Sequence, residues 1–573
     1  MPVHNADIAA IFTEIADLLE IRDDNPFRIR AYRNAARIVS GYGRELATLI
    51  VSGQEPPKLP GIGADLDAKI HEIAATGRCA ALEKLRRGMP PAITELLKIP
   101  GLGPKRVRAL NSELGISTLA QLKRAAGEGR IRALEGFGAK TEQRILESLA
   151  TRSGQAGRFR LAVAAQYAEA LVAYLKRVRG VRQVVVAGSY RRMKDTVGDL
   201  DILVAAREAG SLMERFAGYD EVHEVLAKGE TRSSVVLKCG LQVDLRLVPQ
   251  ESYGAALHYF TGSKAHNIAV RRLAQAKGLK LNEYGVFRGE KRVAGDTEES
   301  VFAAVGLPFI APELREDRGE IEAARAGRLP QLVTEADLRG DLHMHTTASD
   351  GHNTIREMAL AARGRGLDYI AITEHSVRLA VAHGLDAPRL ARQASEIDDL
   401  NRELRGITVL RGIEVDILDD GTLDLPDSAL GKLDWVVASV HSAFSLSRKR
   451  QTGRILRALD NPHVCMLGHP TGRMLGARDA YDADMLRVMR KARSRNVALE
   501  LNAQPDRLDL DDALCRMARD EGVLVSINSD AHSVDGFSNL RYGIGQARRG
   551  WLGRGDVLNT RDLAGLRKWL SSR

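Results

Sequence analysis

Apolar residues recur every three or four positions through residues 5–155, which is the spacing of one face of an α-helix. The first of these runs comprises Ile8, Ile11, Phe12, Ile15, Leu18 and Leu19. The pattern predicts an N-terminal region that is almost wholly helical, built from short helices that pack through their apolar faces.

A short glycine motif lies between these predicted helices at residues 59–63 (LPGIG), 99–103 (IPGLG) and 134–138 (LEGFG). A Gly-x-Gly corner turns the chain tightly and presents backbone N–H groups at a helix N-terminus, which suits a phosphate. A plain turn between two helices is the alternative, but three copies in one basic region favour phosphate contacts. The first two copies resemble the helix-hairpin-helix motif, which holds the DNA backbone without reading the sequence. The third has Glu135 in place of proline and matches less well.

The pattern changes after residue 155, where a predicted helix leads to short runs of β-branched residues. The helix covers 159–178, and the strands are predicted at 183–187, 200–204, 234–237 and 242–247. These elements predict an α+β sheet domain over residues 156–305. Residues 306–336 contain prolines and mixed charges with little strand signal, so we expect a linker there.

From residue 337 onward, short apolar segments alternate with helical stretches, which indicates parallel strands joined by right-handed crossovers. Seven such units predict a (β/α)7-like barrel over residues 337–573. The segments end near His343, Thr373, Glu414, His441, His469, Asn502 and Asn528. Active-site groups of such barrels collect at strand ends, so these residues are candidates for chemistry.

Composition narrows the class of protein. The chain has 573 residues, enough for several domains, and its 44% hydrophobic content favours globular domains over disorder. Its net charge of +10 favours a polyanionic partner such as nucleic acid. The four cysteines form no CxxC pair, which argues against a disulfide framework or a cysteine-rich zinc site. No apolar run has the roughly 20 residues of a membrane helix, and the N-terminus lacks signal-peptide features, so we expect a cytoplasmic protein.

The strongest chemical signal lies at residues 188–201, GSYRRMKDTVGDLD. Asp199 and Asp201 are two residues apart, so on a strand their carboxylates face the same side and repel unless a cation separates them. Asp244, on another predicted strand, could join them. Three carboxylates suit Mg²⁺, and two ions about 4 Å apart would activate an attacking oxygen and stabilise a leaving one. An exposed strand end is the alternative, but the preceding Gly-Ser turn and arginines favour phosphate chemistry.

This arrangement resembles the Gly-Ser…Gly-Asp-x-Asp signature of the nucleotidyltransferase superfamily. The later motifs YFTGS at 259–263 and LNEYG at 281–285 are similar to family X DNA polymerases specifically. The resemblance implies a 5′-phosphate-binding helical domain at residues 1–82 and a helical DNA-binding subdomain at 83–155. A palm and a nucleotide-selecting subdomain would then occupy 156–305.

The resemblance also implies roles for individual residues. Asp199 and Asp201 would bind both metal ions, and Asp244 would bind the ion that activates the primer 3′-hydroxyl. Residues implied to hold the nucleotide are Gly188, Ser189, Arg192, Gly198, Tyr259, Phe260, Gly262, Lys264 and Asn267. Residues implied to contact DNA are Gly61, Gly63, Gly101, Gly103, Lys105, Gly136, Gly138 and Arg271.

Some positions depart from that family's pattern. Val197 replaces a serine that contacts phosphate in many relatives, and Lys264 stands where animal repair enzymes often carry aspartate. Lys69 matches the family's Schiff-base lysine, a catalytic residue of its lyase reaction. Asp65 replaces a neighbouring phosphate-binding lysine, which puts that activity in doubt, and an ordinary solvated lysine is the alternative for Lys69.

The C-terminal region concentrates histidine and acidic residues at the predicted strand ends. They are His343, His345, Asp350, His375, Glu414, His441, His469, Asp530 and His532. A single histidine is usually a core or surface residue, but nine such groups in one barrel indicate a metal site. Imidazole and carboxylate without thiolate suit manganese, zinc or iron, and nine groups imply two or three ions.

Residues 337–573 resemble the PHP (polymerase and histidinol phosphatase) domain, whose order of motifs is met at every position. Glu374 replaces a more usual aspartate beside His375, and we expect it to support a ligand rather than to be one. The two regions together resemble the bacterial and archaeal form of family X polymerases. For the barrel, the resemblance implies a Mn²⁺-dependent 3′–5′ exonuclease, with related endonuclease or 3′-phosphatase activities.

The sequence therefore predicts a monomeric repair polymerase that fills short gaps and has a built-in 3′-end-processing nuclease. Its expected cofactors are Mg²⁺ in the palm and Mn²⁺ or Zn²⁺ in the barrel. Its expected partners are gapped or primed duplex DNA with a 5′-phosphate and deoxynucleoside triphosphates. Two alternatives stay open: a DNA-end-binding scaffold with little polymerase activity, and a nucleotidyltransferase that acts on a small molecule.

Overall fold

The computed structural model describes residues 3–573 except 43–44, 55, 57–58, 60, 90–92, 98, 100–101, 135, 139–140, 144, 147–148, 150–156, 207–210 and 380–381. These residues form two compact units. The first unit comprises Met1–Arg158, Gly218–Glu224 and Val236–Leu241. The second comprises Phe159–Ala217, Val225–Val235 and Gln242–Arg573.

The first unit is helical, as its apolar periodicity predicts. Its described helices are Asn5–Ile21, Pro26–Gly41, Leu46–Val51, Ala64–Thr76, Ala80–Arg87, Ile93–Leu97, Pro104–Leu114 and Leu119–Gly127. The first two helices pack through Phe12 and Tyr32, whose rings meet edge to face with centroids 5.8 Å apart. Their apolar faces continue into one buried cluster that extends from Val3 to Ile145.

Most of a sheet domain lies in the second unit, although residues 218–224 and 236–241 belong to the first. Its strands are Phe159–Arg160 (β1), Val181–Val186 (β2), Thr196–Val197 (β3), Asp199–Ala206 (β4), Val222–Lys228 (β5), Arg232–Leu237 (β6) and Gln242–Val248 (β7). Its helices are Leu161–Leu175, Gly188–Arg191 and Leu212–Ala217. The five-stranded sheet has the order β2-β4-β7-β6-β5. Strand β4 pairs antiparallel with β2 and parallel with β7. The strand of Asp199 and Asp201 is therefore the neighbour of the strand of Asp244.

A smaller α+β subdomain follows the sheet. It contains helices Tyr253–Thr261, Lys264–Ala276 and Glu298–Ala304 and the antiparallel strands Lys280–Asn282 (β8), Gly285–Arg288 (β9) and Lys291–Ala294 (β10). The strand pairing brings β8 and β10 to either side of β9.

Residues 306–336, which we expected as a linker, are packed rather than extended. Leu307, Ile310, Leu314 and Ile321 are buried in the same apolar cluster as Phe302. The segment also forms a helix at Glu320–Arg325. Its apolar residues are spaced irregularly among prolines, which explains why no helix or strand period marked them.

The C-terminal part of the second unit confirms the barrel prediction. Seven parallel strands follow one another in sequence order: Gly340–Asp341 (β11), Tyr369–Ile372 (β12), Thr408–Asp416 (β13), Trp435–Ser439 (β14), Met466–Leu467 (β15), Ala498–Asn502 (β16) and Val525–Asn528 (β17). The helices between and after them are Ile355–Gly364, Ala387–Glu403, Asp427–Leu430, Arg448–Ala458, Met485–Ser494, Asp512–Asp520, Leu540–Arg549 and Leu563–Ser571. A parallel bridge between Met344 and Ala531 brings the two edges together, which nearly closes the barrel.

Within the described part of the chain, every helix is too short or too polar to cross a membrane. All four cysteines, Cys79, Cys239, Cys465 and Cys515, are free thiols.

Candidate functional sites

The three sequence-predicted carboxylates of the sheet domain lie on neighbouring strands. Asp199 and Asp201 stand at the start of β4, and Asp244 stands on β7. Asp201 is the register partner of Asp244 in the parallel pair. Asp199 is exposed, whereas Asp244 is buried. The sheet therefore brings two of the carboxylates side by side and places the third at the open end of the same face.

The local electrostatics disfavour a full set of negative charges. Burial, and then the charges of Asp199 and Asp244, raise the pKa of Asp201 to about 7, while Arg246 and Arg192 oppose the rise. Asp244 is held by Ser234 Oγ and by Gln242 Nε2, which donates to Oδ2 at 3.0 Å. Like charges at this spacing require a compensating cation, so the donor set of oxygens alone fits a divalent ion.

Gly188 makes room for this arrangement. It has a φ of +61°, and a Cβ there would lie 2.6 Å from Asp201 Oδ2. Ser189 follows on the same short helix, and Gly198 immediately precedes β4, so both flank the carboxylates in the chain.

Arg192 follows this helix and turns toward the next subdomain. Its Nε donates to Glu316 Oε1 at 3.1 Å and its Nη1 donates to the backbone oxygen of Thr261 at 2.5 Å. Its guanidinium therefore lies next to Gly262, where an added Cβ would be 3.1 Å from Arg192 Nη1. The predicted triphosphate and sugar contacts are thus brought together.

The other predicted nucleotide residues surround the helix that ends at Thr261. Tyr259 and Phe260 are half-buried, with ring centroids 5.0 Å apart. Asn267 Nδ2 donates to the backbone oxygen of Tyr259 at 2.6 Å, which orients this amide. Lys264, at the start of the next helix, is exposed, and Arg271 lies two turns further along that helix.

Of two further arginines nearby, Arg246 was not singled out by the sequence, whereas the sequence pointed to Arg191, with Arg192, as a phosphate contact. Arg246 lies two residues after Asp244 on β7 and stacks on Phe260, with Cζ 4.4 Å from the ring centroid. Arg191 forms a two-point ion pair with Glu298 at 2.6 and 3.0 Å, which ties the helix of Ser189 to the following subdomain. The i, i+2 spacing of Asp244 and Arg246 was the signal available for the first.

The three glycine motifs share one backbone turn. In each, the fourth residue donates to the first: Ile62 to Leu59, Leu102 to Ile99 and Phe137 to Leu134, at 3.0, 2.9 and 3.1 Å. Gly63 and Gly103 are the residues just before helices Ala64–Thr76 and Pro104–Leu114.

Four glycines of these turns have open space around them in the described part of the chain. A Cβ added at Gly63, Gly103, Gly136 or Gly138 would meet no atom of the described residues within 4 Å, so a ligand can approach the backbone there. Gly61 adopts a φ of +78°, where a Cβ would lie 2.9 Å from Asn34. Lys105 is exposed on the second hairpin helix. Gly101 lies outside the described residues.

Lys69 is engaged by its neighbour. Its Nζ lies 2.5 Å from Asp65 Oδ1 and 3.2 Å from the backbone oxygen of Asp65. Burial opposes the change, but Asp65 and Tyr32 raise the pKa of Lys69. A raised pKa keeps the amine protonated, which is the wrong direction for a nucleophile.

All nine histidine and acidic residues predicted in the barrel meet at the carboxyl ends of its strands. Three groups have ligand atoms within 4.8 Å of one another: His345, Asp350, His375 and His532; His343, His345 and Asp530; and His375, Glu414 and His441. His469 completes the set, with Nε2 2.9 Å from Glu414 Oε1. Among the described residues such groups occur only in the barrel, so the carboxylate triad is less tightly gathered.

The donor atoms of this barrel cluster fit metal ions. Nε2 of His343 lies 3.5 Å from Glu414 Oε2, and Nε2 of His345 lies 3.2 Å from Asp530 Oδ1. Both nitrogens are buried and have no hydrogen bond of good geometry among the described residues. The groups shared by His345, His375 and Glu414 indicate room for more than one ion.

The charges in the barrel cluster offset one another. Burial opposes ionisation, but histidine neighbours lower the pKa of Glu414, Asp530 and Asp350 below its usual range. Against the effect of burial, neighbouring carboxylates raise the pKa of His441 to about 10 and that of His532 to about 9. The acidic ligands are therefore ionised and balanced within the fold.

Two carboxylates that the sequence reasoning missed hold the histidine ligands in place. Glu500 Oε1 lies 2.7 Å from His343 Nδ1, and its other oxygen accepts the backbone N–H of His469 at 2.7 Å. Asp416 Oδ1 lies 2.5 Å from His441 Nδ1. A carboxylate on the second ring nitrogen orients a metal-binding histidine. Glu414 and Asp416 are two residues apart on β13, and this alternation was the available signal.

Glu374 and Arg507 also border the barrel cluster. Glu374 is buried and accepts hydrogen bonds from Thr346, Ser349 and Gln393, so its oxygens are turned away from the ligands. Arg507 Nε lies 3.9 Å from Asp530 Oδ2, and the charge of Arg507 joins burial in lowering the pKa of His469. The sequence reasoning did not select Arg507.

Family models match most of the chain. They are a helix-hairpin-helix domain at residues 3–79, a SAM-like helix-hairpin-helix tandem at 93–151, a DNA polymerase beta palm at 162–257, a DNA polymerase beta thumb at 256–316 and a PHP domain at 341–504. The thumb match extends to residue 316, which agrees with the packing of the segment expected as a linker.

One relative covers the entire protein. The DNA polymerase/3′-5′ exonuclease PolX of Bacillus subtilis is 38% identical over 575 aligned residues, 99% of each chain. The chain belongs to the family X DNA polymerases that carry a C-terminal PHP domain. Probable phosphatases from Caldicellulosiruptor saccharolyticus and Vibrio parahaemolyticus are each 32% identical, over 34% and 39% of this chain and 80% and 90% of their own.

Membership of this family defines the two sites in general terms. The triad belongs to the palm of a polymerase, and the barrel cluster belongs to a PHP domain. Both kinds of domain imply dependence on metal ions, and the helix-hairpin-helix and thumb domains imply binding to DNA.

Proposed function

We propose that this protein is a DNA-directed DNA polymerase that fills short gaps during repair and processes 3′ ends with its PHP barrel. The observation that carries the proposal is the register pairing of Asp201 with Asp244, beside Asp199 and facing Gly188. Nucleotidyl transfer needs a nucleotide phosphate and two divalent ions at one place, and these carboxylates would hold the ions there. The Bacillus subtilis relative is named as a DNA polymerase and 3′-5′ exonuclease, which supports the same pair of reactions.

In the palm, Asp199, Asp201 and Asp244 would hold two Mg²⁺ ions. When bound, Mg²⁺ makes the primer 3′-hydroxyl easier to deprotonate and offsets charge on the phosphate and the leaving group. Ser189, Arg192 and the Gly198 amide hold the triphosphate, since arginine and backbone N–H groups bind phosphate oxygens well.

The base and sugar of the nucleotide lie against the start of the thumb. Tyr259, Phe260 and Gly262 line the sugar, and Asn267 contacts the base in the minor groove. The Asn267 amide is already oriented by its bond to Tyr259, which supports this role. Exposed Lys264 adds positive charge near the phosphates, and Arg271 contacts the template strand.

The glycine hairpins bind the DNA backbone on either side of a gap. The open space around Gly63, Gly103, Gly136 and Gly138 supports phosphate contacts. The helix N-termini and the exposed Lys105 support them as well. Such contacts release counterions, so affinity for DNA should fall steeply as salt rises. A 5′-phosphate at the gap is the natural ligand of the first hairpin.

In the barrel, the nine ligands would hold two or three Mn²⁺ or Zn²⁺ ions. Bound ions of this kind clamp a phosphodiester and activate water for its hydrolysis. Glu500 and Asp416 keep the imidazoles oriented, and Arg507 contributes a positive charge that can orient the scissile phosphate. Imidazole ligands disfavour Mg²⁺, so Mn²⁺ should support the nuclease better.

The hairpin lysine does not support a lyase. Asp65 holds Lys69 Nζ and raises its pKa, so we propose that polymerase and nuclease are the main activities. Borohydride trapping with abasic DNA tests this point. A covalent adduct that disappears in Lys69→Ala would overturn it.

The protein is further proposed to act as a cytoplasmic monomer.

The scaffold alternative requires that the catalytic groups be missing or scattered, and the juxtaposed carboxylates and barrel cluster speak against it.

Nucleotide incorporation tests the whole proposal. Extension with Mg²⁺ is compared on a single-nucleotide gap with a 5′-phosphate, the same gap with a 5′-hydroxyl, and an open primer-template, alongside loss of a 3′-label with Mn²⁺. We expect incorporation on all three, fastest at the 5′-phosphorylated gap, and release of the 3′-label. No incorporation with normal DNA binding would favour the scaffold, and equal rates at the three substrates would refute gap filling.

A further inference from the structure

The barrel contacts the turn that follows the proposed triphosphate-binding helix. The Nη1 of Arg549, at the end of barrel helix Leu540–Arg549, donates to the backbone oxygen of Arg192 at 2.7 Å. On the same helix, a Cβ added at Gly545 would lie 2.5 Å from Met193 Cε and 3.0 Å from Met193 Cβ. The backbone that carries Arg192 is therefore packed directly against the barrel.

A line of alternating charges runs through the same contact. Arg549 Nη2 lies 2.5 Å from Asp512 Oδ2, and Arg549 Nη1 lies 2.9 Å from Glu316 Oε1. That same Glu316 oxygen accepts from Arg192 Nε at 3.1 Å. The side chain of Arg549 is only 1% exposed, and those of Glu316 and Arg192 are 14% and 13% exposed, so water screens this network weakly.

Arg192 and Arg549 share one oxygen of Glu316, which weakens the ion pair of Arg192 with that carboxylate. Glu316 divides its charge between two guanidinium groups, so it orients Arg192 without a full ion pair of its own. If Arg549 were neutral, Glu316 would pair with Arg192 alone and the bond to the Arg192 backbone would also be lost. Both changes act on how Arg192 meets a triphosphate.

We propose that Arg549 is a positioning residue for nucleotide addition, through which the PHP barrel holds Arg192 in place for the incoming nucleotide. The inference rests on the proposed role of Arg192 as a triphosphate ligand. It gives the barrel a part in the polymerase reaction that is separate from its own metal chemistry.

The test is steady-state incorporation into a single-nucleotide gap by full-length Arg549→Gln. Residues that act on a site from a distance alter binding by about two- to thirtyfold, so we expect KM for the nucleotide to rise within this range. The value of kcat should change by less than about twofold. The contact of Arg192 with the triphosphate weakens equally in the ground state and the transition state, which raises KM but leaves kcat unchanged. Arg549→Lys keeps the positive charge but not the several N–H donors of a planar guanidinium, so its KM should lie between those of the parent and Arg549→Gln.

Arg548→Gln is the matched control. Arg548 is the neighbouring arginine on the same helix and also ties the barrel to the preceding segment, with Nε 2.7 Å from Glu313 Oε1. Among the described residues, Arg548 forms no hydrogen bond or ion pair with Arg192 or Glu316, so the KM of this variant should stay at the parent value. The nuclease rate and the unfolding temperature of both variants check that the barrel is intact.

A second variant protects the test against misfolding. Gly545→Ala adds a methyl group against Met193 within a helix that tolerates alanine, so it disturbs the same turn without removing a charge. It should raise KM in the same direction. If Arg549→Gln fails to fold, Gly545→Ala decides the question, and an unchanged KM there overturns the proposal.

Arg192→Gln separates this inference from the proposed function. If Arg192→Gln leaves KM unchanged, the triphosphate assignment itself is wrong. If Arg192→Gln raises KM but Arg549→Gln behaves like Arg548→Gln, the assignment stands and the positioning role of Arg549 is refuted. An equal loss of kcat and nuclease activity in Arg549→Gln would indicate general structural damage and would also refute it.

Discussion

The carboxylate triad and the barrel cluster both place acidic side chains at strand ends, but they hold them differently. The triad sets Asp201 beside Asp244 with few balancing charges, and the pKa of Asp201 is raised to about 7. In the barrel, histidines surround Glu414 and Asp530 and keep the pKa of each carboxylate well below its usual range. The barrel cluster is charge-balanced by its own residues, whereas the triad depends on bound cations to offset its negative charge.

This difference suits the two reactions proposed. A polymerase site that gathers its ions only with a nucleotide avoids chemistry without substrate, because the triphosphate supplies further ligands. A hydrolytic site that keeps its ions is ready for any 3′ end. The predictions below separate the two sites, beginning with the largest expected effect.

Asp201→Asn removes the central charge of the triad while keeping its size. Nucleotide addition should fall by at least about a thousandfold, in line with the loss of a group that stabilises transition-state charge. DNA affinity and 3′ nuclease activity should stay within about twofold, because their groups lie elsewhere. Gel-shift and extension assays on one gapped substrate measure both, and retained extension would contradict the assignment.

His343→Ala combined with His345→Ala should have the opposite outcome. Loss of two ligands on one side of the barrel cluster should lower 3′ nuclease activity by at least about a hundredfold. Primer extension should change little, provided the Arg549 contact with Arg192 is intact. Degradation of 3′-labelled DNA at the parent rate would mean that the nuclease lies elsewhere.

Glu500→Gln tests the support of the histidines rather than the ligands themselves. A neutral amide keeps the shape but not the charge that orients His343, so nuclease activity or metal affinity should fall about ten- to hundredfold. Glu374→Gln is a control, since Glu374 is hydrogen-bonded away from the ligands. Equal losses in the two variants would show that burial, not contact with His343, is what matters.

The smallest effect concerns pH and stability. A carboxyl whose pKa is raised on folding binds its proton more tightly when folded, so stability falls as pH rises from about 4, its unfolded pKa, toward about 7. Burial of Asp201, followed by the charges of Asp199 and Asp244, drives this loss, and Arg246 and Arg192 reduce it. Without metal, Asp201→Asn should raise the Tm by about 2 °C or more at pH 8 and by less at pH 5.

Adding Mg²⁺ provides the matching control for that experiment. Mg²⁺ should stabilise the parent protein more than Asp201→Asn, because only the parent retains the full charge. If Asp201→Asn raised the Tm by the same amount at pH 5 and pH 8, the pKa of the Asp201 carboxyl would not be raised in the folded protein.

Much of the fold, and the candidate metal ligands, could be predicted from local pattern, whereas the nucleotide-binding roles rest on the resemblance to the family. The i, i+2 spacing of Asp199 and Asp201 and the histidines at barrel strand ends both follow from strand geometry, which acts over a few residues. The third glycine motif makes the same turn as the others despite Glu135, because Leu134 and Phe137 preserve the backbone bond.

What escaped prediction depends on packing between distant segments. Glu500, on β16, meets His343, which follows β11, only because the near-closure of the barrel brings these strand ends together, and Arg549 meets Glu316 only because a barrel helix reaches the thumb. Residues 306–336 looked like a linker because their apolar residues have no regular period. Their burial is set by the thumb core they complete, which local spacing does not encode.

Metal content after exhaustive dialysis tests the central claim most directly. Purified parent protein, Asp201→Asn and the double variant His343→Ala/His345→Ala are loaded with Mn²⁺, dialysed and analysed for bound metal. The account predicts that the parent retains two or three ions per chain, that Asp201→Asn retains the same number, and that the double variant loses most of them. Loss of metal from Asp201→Asn, or equal retention in the double variant, would contradict the claim that the barrel alone holds its ions without substrate.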